Sequence, residues 1–217
     1  SHLHVSQARR LVVDVVGAGS TSAENARIQP RTGHLLCRSC CSFQLGQCAV
    51  TPLGESVDQY WAALVQGQSG IGPLTLADTS NFPSKIAGEV TDFDPVRYMH
   101  PKEVRRMARF SQLAVAAAAL AIEDAGLDMG KLDSERMGVV MGNGNGGFPT
   151  TERNARVLIS KGGMRMSPYF IPMILPNMAA ANISRLFGLK GYTSTIITAC
   201  AAGTQGIGEA AEVIRRG

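Results

Sequence analysis

The segment in which residue types and spacing come closest to covalent chemistry is Ser194-Thr-Ile-Ile-Thr-Ala-Cys-Ala-Ala-Gly-Thr-Gln205. A β-branched, threonine-rich run ends there, Cys200 follows at once, and helical spacing begins. The first N–H groups of a helix have no partner within it, and the aligned peptide dipoles make that end partly positive. Both effects favour an anion, which for a cysteine is the nucleophilic thiolate. Ala199, Ala201, Ala202 and Gly203 leave room beside the sulfur, so a covalent thioester fits the site. The other reading is a small apolar residue packed in a core, an ordinary use of cysteine. Spacing alone leaves the two open.

Three other clusters carry chemical potential. His34, Cys37 and Cys40 have metal-like spacing, but a structural zinc site wants four ligands in two separated pairs, so no metal site is expected. Gly142-Asn-Gly-Asn-Gly-Gly147 follows an apolar run. It lacks both the lysine and Ser/Thr of a phosphate-binding P-loop and the spacing of a dinucleotide fingerprint, which favours a tight turn with close backbone approach. Lys102, Arg105, Arg106 and Arg109 place four positive charges within eight residues. Such a patch suits an acidic partner surface, or serves as a solvated helix face.

The elements that must position these residues have an α/β pattern. Residues 55–66 have helical spacing, with Val57, Tyr60, Trp61 and Leu64 on one face. Residues 72–98 read as loops with short extended pieces. Pro101 is well placed to open a long helix through Ala125, apolar all round over residues 113–122 and stopped by Gly126. Residues 137–141 read as a buried strand, 150–161 and 174–187 as helices, 192–199 as a strand. Residues 201–216 read as a helix with Ile207, Ala210, Ala211 and Ile214 inward. Strands alternating with helices predict a layered α/β fold with a mixed or mostly parallel sheet.

Composition narrows the class. A chain of 217 residues is long enough for one domain with a sizeable core, and 45% hydrophobic residues is ordinary for a globular protein. The apolar run 113–122 is about half the length that a membrane-spanning helix needs. A net charge of +4 is far from a nucleic-acid signature. Five cysteines, an odd number, without a secretory signal argue against a disulfide framework and for a cytoplasmic protein.

Thr198-Ala-Cys-Ala-Ala-Gly203 resembles the nucleophile motif of the elongating β-ketoacyl-acyl-carrier-protein synthases. Other segments are similar to that family in the same order: Ala49-Val-Thr-Pro-Leu-Gly54 with Trp61 and Gly67-Gln-Ser-Gly-Ile71, then Arg105-Arg-Met107 and Ala121-Ile-Glu-Asp-Ala-Gly126, then residues 142–147, Ser167-Pro-Tyr-Phe-Ile-Pro172 and Asn177-Met178. The resemblance runs from Ala49 to Gly217 and implies the N-terminal half of a thiolase-like fold, working as a homodimer. It implies Cys200 as the acyl-accepting nucleophile, its own N–H as an oxyanion donor, and Asn145 and Phe170 at the acyl pocket, the second reaching across the dimer. Lys102, Arg105 and Arg106 match positions that dock acyl carrier protein. The substrates ride on the carrier's phosphopantetheine arm, so no separate cofactor and no nucleic-acid or membrane partner is expected. A polyketide-type ketosynthase or a non-catalytic partner half is the alternative.

Three departures qualify the resemblance. The chain stops near the middle of the family's length, before the segments that bring two catalytic histidines and a lysine, so sustained condensation by this stretch alone is not expected. Residues 1–48 match poorly and are read as an atypical leader to the synthase domain at 49–217. In a second reading Leu11-Val-Val-Asp-Val-Val16 supplies the first strand and residues 17–48 are an insertion. Asn145 stands where an apolar pocket residue is common, and a buried amide needs partners.

Overall fold

A computed structural model describes residues 12–16 and 46–217 of the chain. The His34, Cys37 and Cys40 cluster lies outside these residues. Val139, Val140 and Met141 make a short run of bulky apolar side chains, buried to within 2% of full burial. A strand covered on both faces reads as such a run rather than as an alternation. This strand, β4 (Gly138–Gly142), is the centre of a three-stranded parallel sheet in the order β1-β4-β5. One neighbour is β1 (Val12–Val16), in register from Val12 opposite Gly138 to Val16 opposite Gly142. The other is β5 (Thr193–Ile196), from Thr193 opposite Val139 to Ile196 opposite Gly142. The strand that the second reading of the N-terminal region drew from residues 11–16 is thus present at Val12–Val16.

Helices cover the sheet on both faces. On one side α3 (Arg109–Asp124) and α6 (Met178–Phe187) pack together and on the sheet. Ala114, Val115, Ala117 and Ala118 of α3 meet Ala179, Ala180 and Ile183 of α6 in a core that includes Val139 and Met141. On the other side α7 (Ala202–Arg216) lies across all three strands. Its buried stripe is Ala202, Gly206 and Ala210, spaced by four residues. This corrects the expected inner face: Ala210 is buried, but Ile207 is 55% exposed, Ala211 is exposed and Ile214 is half-buried. The smallest residues face the sheet because they let the helix backbone come close.

Two more expectations are corrected. The helix expected from Pro101 to Ala125 is two helices, α2 (Pro101–Val104) and α3, with the break at Ala108 in extended geometry (φ −74°, ψ 161°). The side-chain amide of Gln112 donates to the carbonyls of Val104 (3.0 Å) and Met107 (3.1 Å) and so satisfies the end of the short helix. Arg109 holds the bend from outside, donating to the carbonyls of Phe93 and Val90 with its guanidinium 4.5 Å from the Phe93 ring centre. The helix expected at 174–187 begins only at Met178, because Pro176 holds Leu175 extended (ψ 129°) and detaches α5 (Phe170–Ile174) from α6.

The remaining elements are peripheral. Helix α1 (Val57–Val65) is capped by the Ser56 hydroxyl, and the expected extended pieces form a hairpin of β2 (Ile71–Pro73) and β3 (Ile86–Gly88). In α1 only Ala63 is buried, while Trp61 and Leu64 are 45% and 43% exposed, so the predicted apolar face has no full cover among the described residues. Helix α4 (Phe148–Lys161) spans the predicted 150–161 and starts one half-turn earlier, with proline in its first turn.

Candidate active site

The path from β5 into α7 is a turn with an unusual backbone. The strand stops at Ile196, earlier than the expected Ala199, and Ala199 takes φ +51°, the only positive φ outside glycine among the described residues. An L-residue there costs about 1–2 kcal/mol. Residues Ala199–Ala201 form one 3-10 turn, which passes directly into α7. Cys200 sits in that turn, exposed, immediately before the helix. The Ala201 N–H is bound by the Thr198 carbonyl (3.1 Å) and the Ala202 N–H by that of Ala199. The Cys200 N–H makes no hydrogen bond among the described residues. Across the turn the Thr198 hydroxyl donates to the side-chain oxygen of Gln205 (2.9 Å).

The glycine cluster packs against this turn and against the segment that carries Phe170. A Cβ on Gly142 would lie 2.3 Å from the Ala202 carbonyl oxygen and 2.6 Å from the Gly203 nitrogen, so only glycine lets β4 end under the first turn of α7. Asn143, buried, then joins three segments. Its N–H donates to the Ile196 carbonyl and its side-chain amide to the Pro176 carbonyl, both at 2.9 Å. Gly146 (φ +81°) abuts the link between α5 and α6: a Cβ there would be 2.5 Å from the Ile174 carbonyl oxygen. The tight, backbone-close turn expected from the sequence is the one present.

The predicted pocket residues fall on these two touching segments. Asn145 is exposed at the tip of the turn, so its amide faces no desolvation in this chain. Phe170 opens α5 and is half-buried. Its segment is anchored by buried Asn154, whose side-chain oxygen accepts from the Ser167 N–H (3.3 Å), and by the Ser167 hydroxyl, which accepts from the Tyr169 N–H (3.2 Å). Lys102, Arg105 and Arg106 are all exposed on α2 and the turn after it. The Arg106 guanidinium stands 5.1 Å from the centre of the Tyr169 ring, which sets the basic patch beside the segment bearing Phe170.

Sequence reasoning did not single out Asn143, Tyr169, Gln112 or the ion pair between Glu103 of α2 and Arg185 of α6. Asn143 had a signal, a non-glycine polar residue at the first position after a buried strand. The ion pair had none, since its members lie 82 positions apart. Among the described residues no group of His, Cys, Asp and Glu could hold a metal ion, and no helix is long and apolar enough to cross a membrane.

This arrangement is a parallel sheet between helix layers, with a cysteine in a strained turn at the head of a helix and a glycine turn packed beneath it. Residues 45–217 match the N-terminal domain of the β-ketoacyl synthases, and the chain belongs to that family. Its fold is thiolase-like, represented by the N-terminal half. Among curated relatives it is similar to the 3-oxoacyl-[acyl-carrier-protein] synthase 2 of Synechocystis sp., with 40% identity over 169 residues, 78% of this chain and 41% of that protein. The synthase 2 of Coxiella burnetii is 42% identical over 165 residues, 76% of this chain and 40% of that protein. Among solved structures it is similar to a β-ketoacyl synthase from Burkholderia phymatum (TM-score 0.67, 32% identity, 79% of this chain and 43% of that one). A type II polyketide acyl-carrier protein in complex with its ketosynthase, bound to the hexaketide, gives TM-score 0.68 at 28% identity, covering 79% of this chain and 46% of that one. The chain thus spans about two fifths of the length of these curated relatives.

Proposed function

We propose that this chain is the nucleophile-bearing half of an elongating 3-oxoacyl-acyl-carrier-protein synthase of fatty acid biosynthesis, in which Cys200 accepts the acyl chain. The Cys200 thiolate attacks the carbonyl of an acyl thioester on the carrier's phosphopantetheine arm, and the carrier thiol leaves with the proton. The malonyl unit on a second carrier then loses CO2, and its carbanion displaces the Cys200 thiolate to give the β-ketoacyl product. No cofactor of the protein's own takes part. The observation that carries this reading is the exposed Cys200 at the head of α7, with its own N–H free of hydrogen bonds among the described residues, where a developing oxyanion can accept it. Asn145 and Phe170 line the acyl pocket in this reading, and Lys102, Arg105 and Arg106 dock the acidic carrier.

The active form is a homodimer in the cytoplasm. Support for the dimer comes from β5, which ends the described sheet and pairs only with β4, leaving its outer edge open to a second copy. The polyketide complex among the structural neighbours favours a polyketide-type ketosynthase as the second reading. The chemistry at the cysteine is the same in both, and acyl-chain preference separates them.

The test is intact-mass analysis after incubation with acyl-carrier protein or the cysteine-directed inhibitor cerulenin. A single adduct that disappears in Cys200→Ala is expected. No adduct, or one that survives that substitution, would remove Cys200 from the role of nucleophile.

A further inference from the structure

The basic patch contains an acid. Glu103 lies between Lys102 and the arginines at 105 and 106, and three residues before Arg106, whose N–H closes the turn after α2 onto the Glu103 carbonyl (2.9 Å), a spacing at which opposite charges pair. Its carboxylate forms no ion pair with any of them, although the Arg106 charge is near enough to help lower its pKa. Its carboxylate accepts instead from the guanidinium of Arg185 on α6, and its side chain is 20% exposed against 53% for Arg185. Arg106 is directed elsewhere, over the Tyr169 ring. Among the described residues Lys102, Arg105 and Arg106 make no ion pair. The one negative charge of the patch is thus turned inward and neutralised by a cation from a different helix, and three cations are left facing outward.

We propose that Arg185 is a positioning residue for partner docking: it sequesters the Glu103 carboxylate so that an acidic carrier protein meets an uninterrupted cationic face at Lys102, Arg105 and Arg106. This inference rests on the carrier-docking reading given under the proposed function. Without Arg185 the carboxylate is free to swing onto its neighbours Lys102 and Arg106, compete with the carrier's acidic groups for them, and repel the carrier directly. The alternative is that the pair only staples α2 to α6.

A charge cycle separates the two. The dissociation constant of acyl-carrier protein is measured at low ionic strength for the full chain and for Arg185→Gln, Glu103→Gln, the double variant Glu103→Gln/Arg185→Gln, and Arg215→Gln. The last removes the same unit of charge from another ion pair, with Glu212, at the far end of α7. Arg185→Gln is expected to weaken binding about three-fold, the size of one rim charge. Glu103→Gln does not weaken it, the double variant returns to the unmodified value, and Arg215→Gln leaves it unchanged. If Glu103→Gln weakens binding as Arg185→Gln does, the pair is a staple and the proposal is overturned. It is overturned equally if Arg215→Gln matches Arg185→Gln, or if Arg185→Gln has no effect. Thermal midpoints measured alongside show whether each variant folds. Should Arg185→Gln not fold, Glu103→Gln still decides, because losing a staple must weaken docking and removing a sequestered charge must not. A carrier that does not bind the unmodified chain sinks the docking reading and this proposal together, whereas binding with a different pattern sinks this proposal alone.

Discussion

At the scale of single residues the candidate site depends on a backbone angle that its residue type resists. Ala199 at φ +51° places the turn so that Cys200 opens onto the helix end. Glycine has no Cβ to clash at such an angle, so Ala199→Gly is expected to raise stability by about 1 kcal/mol in urea unfolding. A fall in stability would mean that the alanine methyl makes contacts worth more than the strain. The position of this candidate site at the head of a helix was legible in the sequence because Cys200 and its small neighbours are contiguous, while spacing alone left its chemical role open. The turn geometry was not: a strand expected to run to Ala199 gives no local sign that the chain will leave it at Ile196. Asn143 was overlooked for a related reason. Its partners, the carbonyls of Ile196 and Pro176, are backbone atoms and leave no mark on residue type.

At the scale of elements, local pattern gave existence well and continuity poorly. Of the run 113–122, expected to be buried all round, Ala114–Ala118 and Ile122 are buried while Leu113, Ala119, Leu120 and Ala121 are half-buried, and the strand expected at 137–141 is present as β4, one residue further on. The break between α2 and α3 escaped notice because every residue from Lys102 to Phe110 tolerates a helix. The interruption depends on Gln112, whose amide replaces two helix hydrogen bonds from a position beyond the break. Gln112→Ala removes both donors and is expected to cost about 1–2 kcal/mol. Hydrogen exchange then speeds up at residues 101–108 before it does elsewhere. Unchanged exchange there would show that water supplies those carbonyls equally well. The apolar faces of α1 and α7 teach a complementary point. On α1 periodicity identifies a face, with Trp61 and Leu64, but not whether the same chain covers it; on α7 it chose the side of Ile207, where the smaller Ala202 and Gly206 are the residues that meet the sheet.

At the scale of the whole molecule, several surface charges are tied to the folded state and set its response to pH. Glu103 is held below the ordinary carboxyl range by the hydrogen bond from Arg185, with partial burial working against it. Glu89 is lowered chiefly by the Thr75 hydroxyl and then by the Leu76 N–H. A carboxyl with a depressed folded-state pKa contributes stability above its unfolded value and loses it as pH falls through the folded one. Tyr98 is shifted up, first by burial and then by the neighbouring Glu55 carboxylate, so its contribution is fully present below its unfolded value and is lost as pH rises through the higher folded one. Thermal midpoints are therefore expected to hold between the two ranges, to drop as pH falls below 4.5, the ordinary value of a glutamate, and to drop again above 10.0, that of a tyrosine. In Glu103→Gln the acid limb becomes shallower, and in Tyr98→Phe the alkaline one does. Limbs that do not respond to these substitutions would assign the pH dependence to other groups.

The register of the central sheet has a bearing on biosynthesis. Because Val12 lies opposite Gly138, β1 leaves the ribosome long before the strand it pairs with. Until Gly138–Gly142 follows it, Val12–Val16 is a valine-rich segment without its sheet partner, open to chaperones that capture emerging hydrophobic stretches.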